Sequence, residues 1–254
     1  MKTWPANLLT SGNLLCGFLS ILLAIDGHPQ IAGWLIFFAS VLDAFDGKIA
    51  RLLGGSTKFG LEFDSLADMV SFGVAPGVLI YQVAFCELEA PGLVVAAIPV
   101  LFTAIRLARF NVNADDRAHD FTGLSSPLHA GLIASFVVMS YAVWGEIADS
   151  DVLAGLVLLT SILMVSRFPF PGLPRLTLRE PGYNLVKVIF LILAMVFMAW
   201  NPPRHTFPAI AVVVSAGFVT GALKALLRRA SNAEDEAEED EDDDEPSPIF
   251  RGRR

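Results

Sequence analysis

Stretch after stretch of this chain is apolar for about the 20 residues that an α-helix needs to cross a bilayer. Eight can be marked, at 5–25, 30–52, 65–86, 91–110, 127–145, 152–168, 184–200 and 206–227, with short polar breaks between them. That pattern leaves few folds open. Inside hydrocarbon every backbone N–H and C=O must be paired within its own segment, so long apolar runs become helices rather than open sheets. Composition agrees: 54% of residues are hydrophobic and only 17% are charged, where water-soluble domains carry roughly a quarter. The expectation is an all-α, polytopic transmembrane helix bundle of about eight spans.

Lysine and arginine set the orientation. If the N-terminus is cytoplasmic, the inner connections hold Lys2, Arg51, Lys58, Arg109, Arg117, Arg167, Arg175, Arg179, Arg228 and Arg229. The outer ones hold Arg204 alone, beside Asp26, Glu87, Glu89, Glu146, Asp149 and Asp151. Both termini are therefore expected inside. The first apolar run has no A-x-A cleavage site and carries Asn7, Thr10 and Asn13, so it reads as a retained span rather than a leader.

The net charge of −8 belongs to the tail, because residues 234–245 include eleven acidic side chains and three arginines stand in the last four positions. The rest of the chain is neutral. Residues 1–229 are expected to form the membrane domain and 230–254 a disordered acidic cytoplasmic tail. Cys16 and Cys86 have no C-x-x-C or Cys/His spacing, which argues against zinc.

Four aspartates stand where a spanning helix should carry none. Asp43 and Asp46 lie near the inner end of the second span, sharing a helix face with Gly47 and Ala50. Asp64 and Asp68, four residues apart, share a face at the start of the third. A short loop joins the two helices, so the economical packing sets both pairs across one seam. Carboxylates in a membrane are costly and usually functional. Their hard oxygens suit Mg²⁺ or Mn²⁺, and a pair of such ions can serve both the attacking and the leaving oxygen of a phosphoryl displacement. An ion-coupled transporter could use the same carboxylates, although no internal repeat is visible.

The spacing adds more. Asp43, Asp46, Gly47, Ala50, Arg51, Gly60, Asp64 and Asp68 reproduce D-x2-D-G-x2-A-R-x8-G-x3-D-x3-D. This resembles the signature of the CDP-alcohol phosphatidyltransferases, built on a six-helix core to which two spans would here be added. The resemblance implies transfer of a phosphatidyl group from CDP-diacylglycerol to an alcohol with release of CMP, with two Mg²⁺ or Mn²⁺ ions. It implies that Asp43, Asp46 and Asp64 hold metal and that Asp68, beside the metals, is also the base. It further implies that Gly47, Ala50, Arg51, Gly60 and, more weakly, Thr57 bind the nucleotide end of the CDP-lipid.

Three segments resemble the phosphatidylserine synthase branch: P-A-N-L-L-T-S-G-N-L-L-C-G-F, F-D-S-L-A-D-M-V-S-F-G-V-A-P, and R-L-A-R-F-N-V followed by F-T-G-L-S-S-P. L-serine would then be the acceptor. Its carboxylate wants a guanidinium, and Arg106 and Arg109, three residues apart on the fourth span, are the candidates. Asn111 and Ser126 are further candidate acceptor contacts, and His129 lies close to Ser126. A sister transferase using glycerol 3-phosphate or an inositol phosphate is the alternative. The remaining expected partners are membrane lipids and a second copy of the chain, with no nucleic acid.

Overall fold

The computed structural model describes the backbone of residues 4–52, 57–112, 123–166, 193 and 195–243. Among these residues every element is helical and there is no strand. Helix α1 spans Trp4–Ile25, α2 Pro29–Leu52 and α3 Lys58–Asp68. A wide π-helical segment, Met69–Val74, leads into α4 (Ala75–Ile80), and a second, Tyr81–Phe85, follows it. Then come α5 (Glu89–Val112), α6 (Ser126–Val143), α7 (Ser150–Val165) and the long α8 (Pro202–Asp243).

Among the described residues, five helical runs are long and apolar enough to cross a membrane: Trp4–Ile25, Pro29–Ala50, Lys58–Val112, Ser126–Val143 and Pro202–Leu223. The third is 55 residues long, about 80 Å if it were straight and far more than one bilayer crossing. It folds back at Cys86–Glu89, where Glu89 takes φ 49°. Gly92 then lies against the Phe85 carbonyl, Gly77 against that of Ala96, and Gly73 against the Thr103 side chain. The two arms are thus antiparallel. They match the predicted third and fourth spans, except that the first arm begins at Lys58 rather than 65. The sixth expected span appears as Ser150–Val165, a shorter apolar helix. Most of the seventh, and residues 244–254 of the tail, lie outside the described residues.

Helix α8 continues to Asp243, into the acidic segment. Alanine and glutamate are strong helix formers, and here they extend a helix already nucleated by its apolar part.

The packing is inverted relative to a water-soluble bundle. Leu8, Leu15, Phe18, Phe38 and Leu159 face outward, while Thr10, Asn13, Ser20, Ser71, Thr103, His129 and Thr160 are buried. Lipid outside and polar contacts inside produce that arrangement. The wide turn before α4 has a local cause. Pro76 has no N–H to give to the Phe72 carbonyl four residues back. Thr103 Oγ1 on α5 donates to that oxygen instead, at 3.4 Å. The proline thus leaves that carbonyl free, and Thr103 uses it to tie this segment to α5.

Candidate functional site: a carboxylate cluster between α1, α2 and α3

The two aspartate pairs do meet across the seam. Asp43 on α2 and Asp64 and Asp68 on α3 each place a carboxylate oxygen within 4.8 Å of the others. Asp46 lies close enough to interact electrostatically with Asp43 and Asp64. It is buried at 4% exposure, and Thr10 Oγ1 on α1 donates to its Oδ2 at 2.8 Å. Asp68 is similarly buried, and Asn13 Nδ2 donates to its Oδ1 at 3.0 Å.

Three carboxylates this close repel unless a cation or protons sit among them. Oδ1 of Asp64 is buried without any hydrogen-bond partner, an arrangement that costs free energy unless a ligand completes it. An all-oxygen donor set with one orphaned oxygen fits a hard divalent cation.

The surroundings sort the other predicted residues. Around Gly47 the space is open: nothing lies within 4 Å of where a side chain would begin. Ala50 is half-buried on the same helix, and the side chain of Arg51 lies outside the described residues. Thr57 Oγ1 accepts from the Gly60 N–H at 3.0 Å, which makes it the N-cap of α3. Gly60 itself comes up against Asn7 of α1. Arg106 points inward, its Nη1 donating to Ser126 Oγ at 2.7 Å, within electrostatic reach of Asp43 and Asp68. Arg109 turns away and donates to the Val165 carbonyl at the last turn of α7, at 2.8 Å, which suits a cation at a helix C-terminus. Asn111 accepts from Ser65 and donates to Glu62, pinning α5 to α3. The structure thus gathers Arg106 and Ser126 with the aspartates, and gives Arg109, Asn111 and Thr57 bonds elsewhere.

Sequence reasoning did not place three contributors in the site. Thr10 and Asn13 of α1 hold Asp46 and Asp68, and Asn7 reaches Gly60. All three stand at steps of three along an apolar helix, so a polar stripe was available as a signal. A fourth feature is the bond between His129 Nδ1 and Thr160 Oγ1, 2.8 Å long, which joins α6 to α7 deep in the bundle.

Comparison with known proteins agrees with this geometry. A sequence model described as CDP-alcohol phosphatidyltransferase matches residues 3–171, and the chain belongs to that family. It is 34% identical over 194 residues to a CDP-diacylglycerol–serine O-phosphatidyltransferase of Helicobacter pylori J99, covering 76% of this chain and 81% of that one. It is 36% identical over 167 residues to an archaetidylserine synthase of Methanothermobacter thermautotrophicus, covering 65% and 68%. A Bacillus subtilis CDP-diacylglycerol–serine O-phosphatidyltransferase is 35% identical over 164 residues, covering 65% and 88%. The fold is shared with a crystal structure of Mycobacterium tuberculosis phosphatidylinositol phosphate synthase with CDP-DAG bound. That match has TM-score 0.50 and 18% identity, covering 65% of this chain and 81% of that one.

Proposed function

We propose that this protein transfers the phosphatidyl group of CDP-diacylglycerol to the hydroxyl of L-serine, giving phosphatidylserine and CMP. The observation that carries this is the convergence of Asp43, Asp64 and Asp68 in a member of the CDP-alcohol phosphatidyltransferases. The names of the Helicobacter and Bacillus relatives support serine as the acceptor.

Asp43, Asp46, Asp64 and Asp68 would hold one or two divalent ions, Mg²⁺ or Mn²⁺. Such ions supply charge neutralisation at the pyrophosphate and at the departing CMP. The chain's own residues do the rest. The open space over Gly47 admits the nucleotide end of the donor, with Ala50 and Arg51 on the same helix and Gly60 in the first turn of α3. Asp68 takes the proton of the serine hydroxyl. The serine oxygen then forms a bond to the phosphorus bearing the diacylglycerol, and the bond from that phosphorus to the bridging oxygen breaks. CMP leaves with the bridging oxygen. Arg106 holds the serine carboxylate, fixed in place by Ser126. Thr10 and Asn13 keep Asp46 and Asp68 in their rotamers, so the site is organised before the substrates arrive.

The loop charges support a cytoplasmic N-terminus, with the cluster at the cytoplasmic end of a membrane domain covering residues 1–229. The acidic tail then lies on that side as well, and a homodimer is the proposed assembly. The test is CMP release from CDP-diacylglycerol by the purified protein, with L-serine, glycerol 3-phosphate and inositol phosphate compared in Mg²⁺ and in Mn²⁺. Release with serine alone is expected. Release with another acceptor and none with serine would reassign the substrate.

A further inference from the structure

Asn13 stands at the centre of α1 and is fully buried. Its position is fixed twice. Ser71 Oγ donates to its backbone carbonyl at 2.9 Å, and Gly17, one turn further on, lets the Ser71 backbone come into contact with α1. Its side chain is then oriented by Asp68. A carboxylate oxygen opposite an amide calls for the NH2 end, so Nδ2 takes the bond to Asp68 and Oδ1 is left out of it. That Oδ1 is buried and has no partner. An orphaned carbonyl inside a bundle is costly, and the cost is removed when a donor arrives.

We infer that Asn13 Oδ1 accepts a hydrogen bond from the ammonium group of the acceptor, making Asn13 a specificity-determining residue for a 1,2-amino alcohol. The inference rests on the serine reading above and deepens it. The two ends of one amide are separated by only two bonds, so Oδ1 lies beside the carboxylate that Nδ2 holds. A 1,2-amino alcohol carries its hydroxyl and its ammonium on neighbouring carbons. Asp68 and Asn13 present two acceptors side by side, matched to those two donors. Arg106, within electrostatic reach of Asp68, takes the carboxylate. A hydroxy acid without the amine fills two of these contacts and leaves Oδ1 unpaired.

The test uses the full chain, with L-serine as acceptor and 3-hydroxypropanoate as a competitor that keeps the carboxylate and the hydroxyl and has only hydrogen in place of the amine. Asn13→Leu is expected to raise the serine KM about 30-fold, the loss of a charge-assisted hydrogen bond. The 3-hydroxypropanoate inhibition constant should move less than about 3-fold. Asn13→Asp keeps an oxygen at the same reach and loses the donor to Asp68. Its serine KM should stay within about 3-fold of the wild type while kcat falls. Equal weakening of serine and 3-hydroxypropanoate in Asn13→Leu would reduce Asn13 to a clasp for Asp68 and overturn the inference. If Asn13→Leu also loses CDP-lipid binding, its site has collapsed and Asn13→Asp decides alone. A serine KM that rises about 10-fold or more in that variant overturns the inference. A wild-type chain whose CMP release does not respond to serine overturns the acceptor reading and this inference together.

Discussion

On the proposed function, the donor half and the acceptor half of this site are built differently. Donor chemistry sits on α2 and α3, two consecutive helices whose aspartates are spaced for one face each. Acceptor chemistry is assembled from Asn13 on α1, Arg106 on α5 and Ser126 on α6, which are far apart in sequence. Within the donor half the interacting groups are local and repeat every three or four residues. In the acceptor half each contact depends on how two distant helices pack. The difference teaches that the carboxylate cluster can be read from a linear pattern, whereas the proposed acceptor contacts are a product of tertiary packing.

The comparison can be broken at several points, and the largest effect is expected at the donor end. Asp68→Asn should reduce kcat by about 1,000-fold or more, the loss of a general base. CDP-lipid binding, measured by equilibrium dialysis with labelled donor, should persist. Retained turnover would remove Asp68 from the role of base. Next comes Arg106→Ala, which should raise the serine KM about 100-fold by removing a charge-assisted pair from a buried place. The KM for CDP-diacylglycerol should change by less than about 3-fold. Equal shifts in both would show that the two halves are not separable. Ser126→Ala removes only the anchor of Arg106, so a rise of about 5-fold in serine KM is expected, consistent with one hydrogen bond.

The smallest effects belong to residues whose bonds lie away from the carboxylate cluster. Arg109→Ala should leave the serine KM within about 2-fold and instead lower the melting temperature slightly, since its bond is to the C-terminal turn of α7. Thr103→Val strips the Phe72 carbonyl of its donor, at a cost of about 1 kcal/mol. Thermal unfolding followed in detergent should register that loss with no change in serine KM.

Legibility followed the same division. The face shared by Asp64 and Asp68, and the seam that joins them to Asp43, follow from helical periodicity, and the structure brings them together. Spacing placed Arg106 and Arg109 on one helix face, but a three-residue step still leaves enough angle for one to enter the bundle and the other to reach α7. Thr57 is a weaker nucleotide candidate that only the family resemblance implies. Its hydroxyl is occupied by the first turn of α3, an N-cap role that Thr at the start of a helix commonly fills. Asn13 was visible only as one polar residue in an apolar run. Its meaning came from Asp68, which lies 55 positions away in sequence. The hairpin at Cys86–Glu89 was expected from two adjacent apolar stretches, while the wide turn at Met69–Val74 needed Pro76 and Thr103 to be seen together.

The most direct test of the carboxylate cluster is the metal dependence of CMP release in the wild type and in Asp64→Asn, whose orphaned oxygen would lose its charge. With CDP-diacylglycerol and L-serine, the wild type should release CMP and form phosphatidylserine in equal amounts. It should stop in EDTA and resume when Mg²⁺ or Mn²⁺ is restored. Asp64→Asn should require at least about 10-fold more metal for half-maximal rate, the usual scale for weakening a metal site. Turnover that is indifferent to EDTA, or an unchanged metal requirement in Asp64→Asn, would contradict the account.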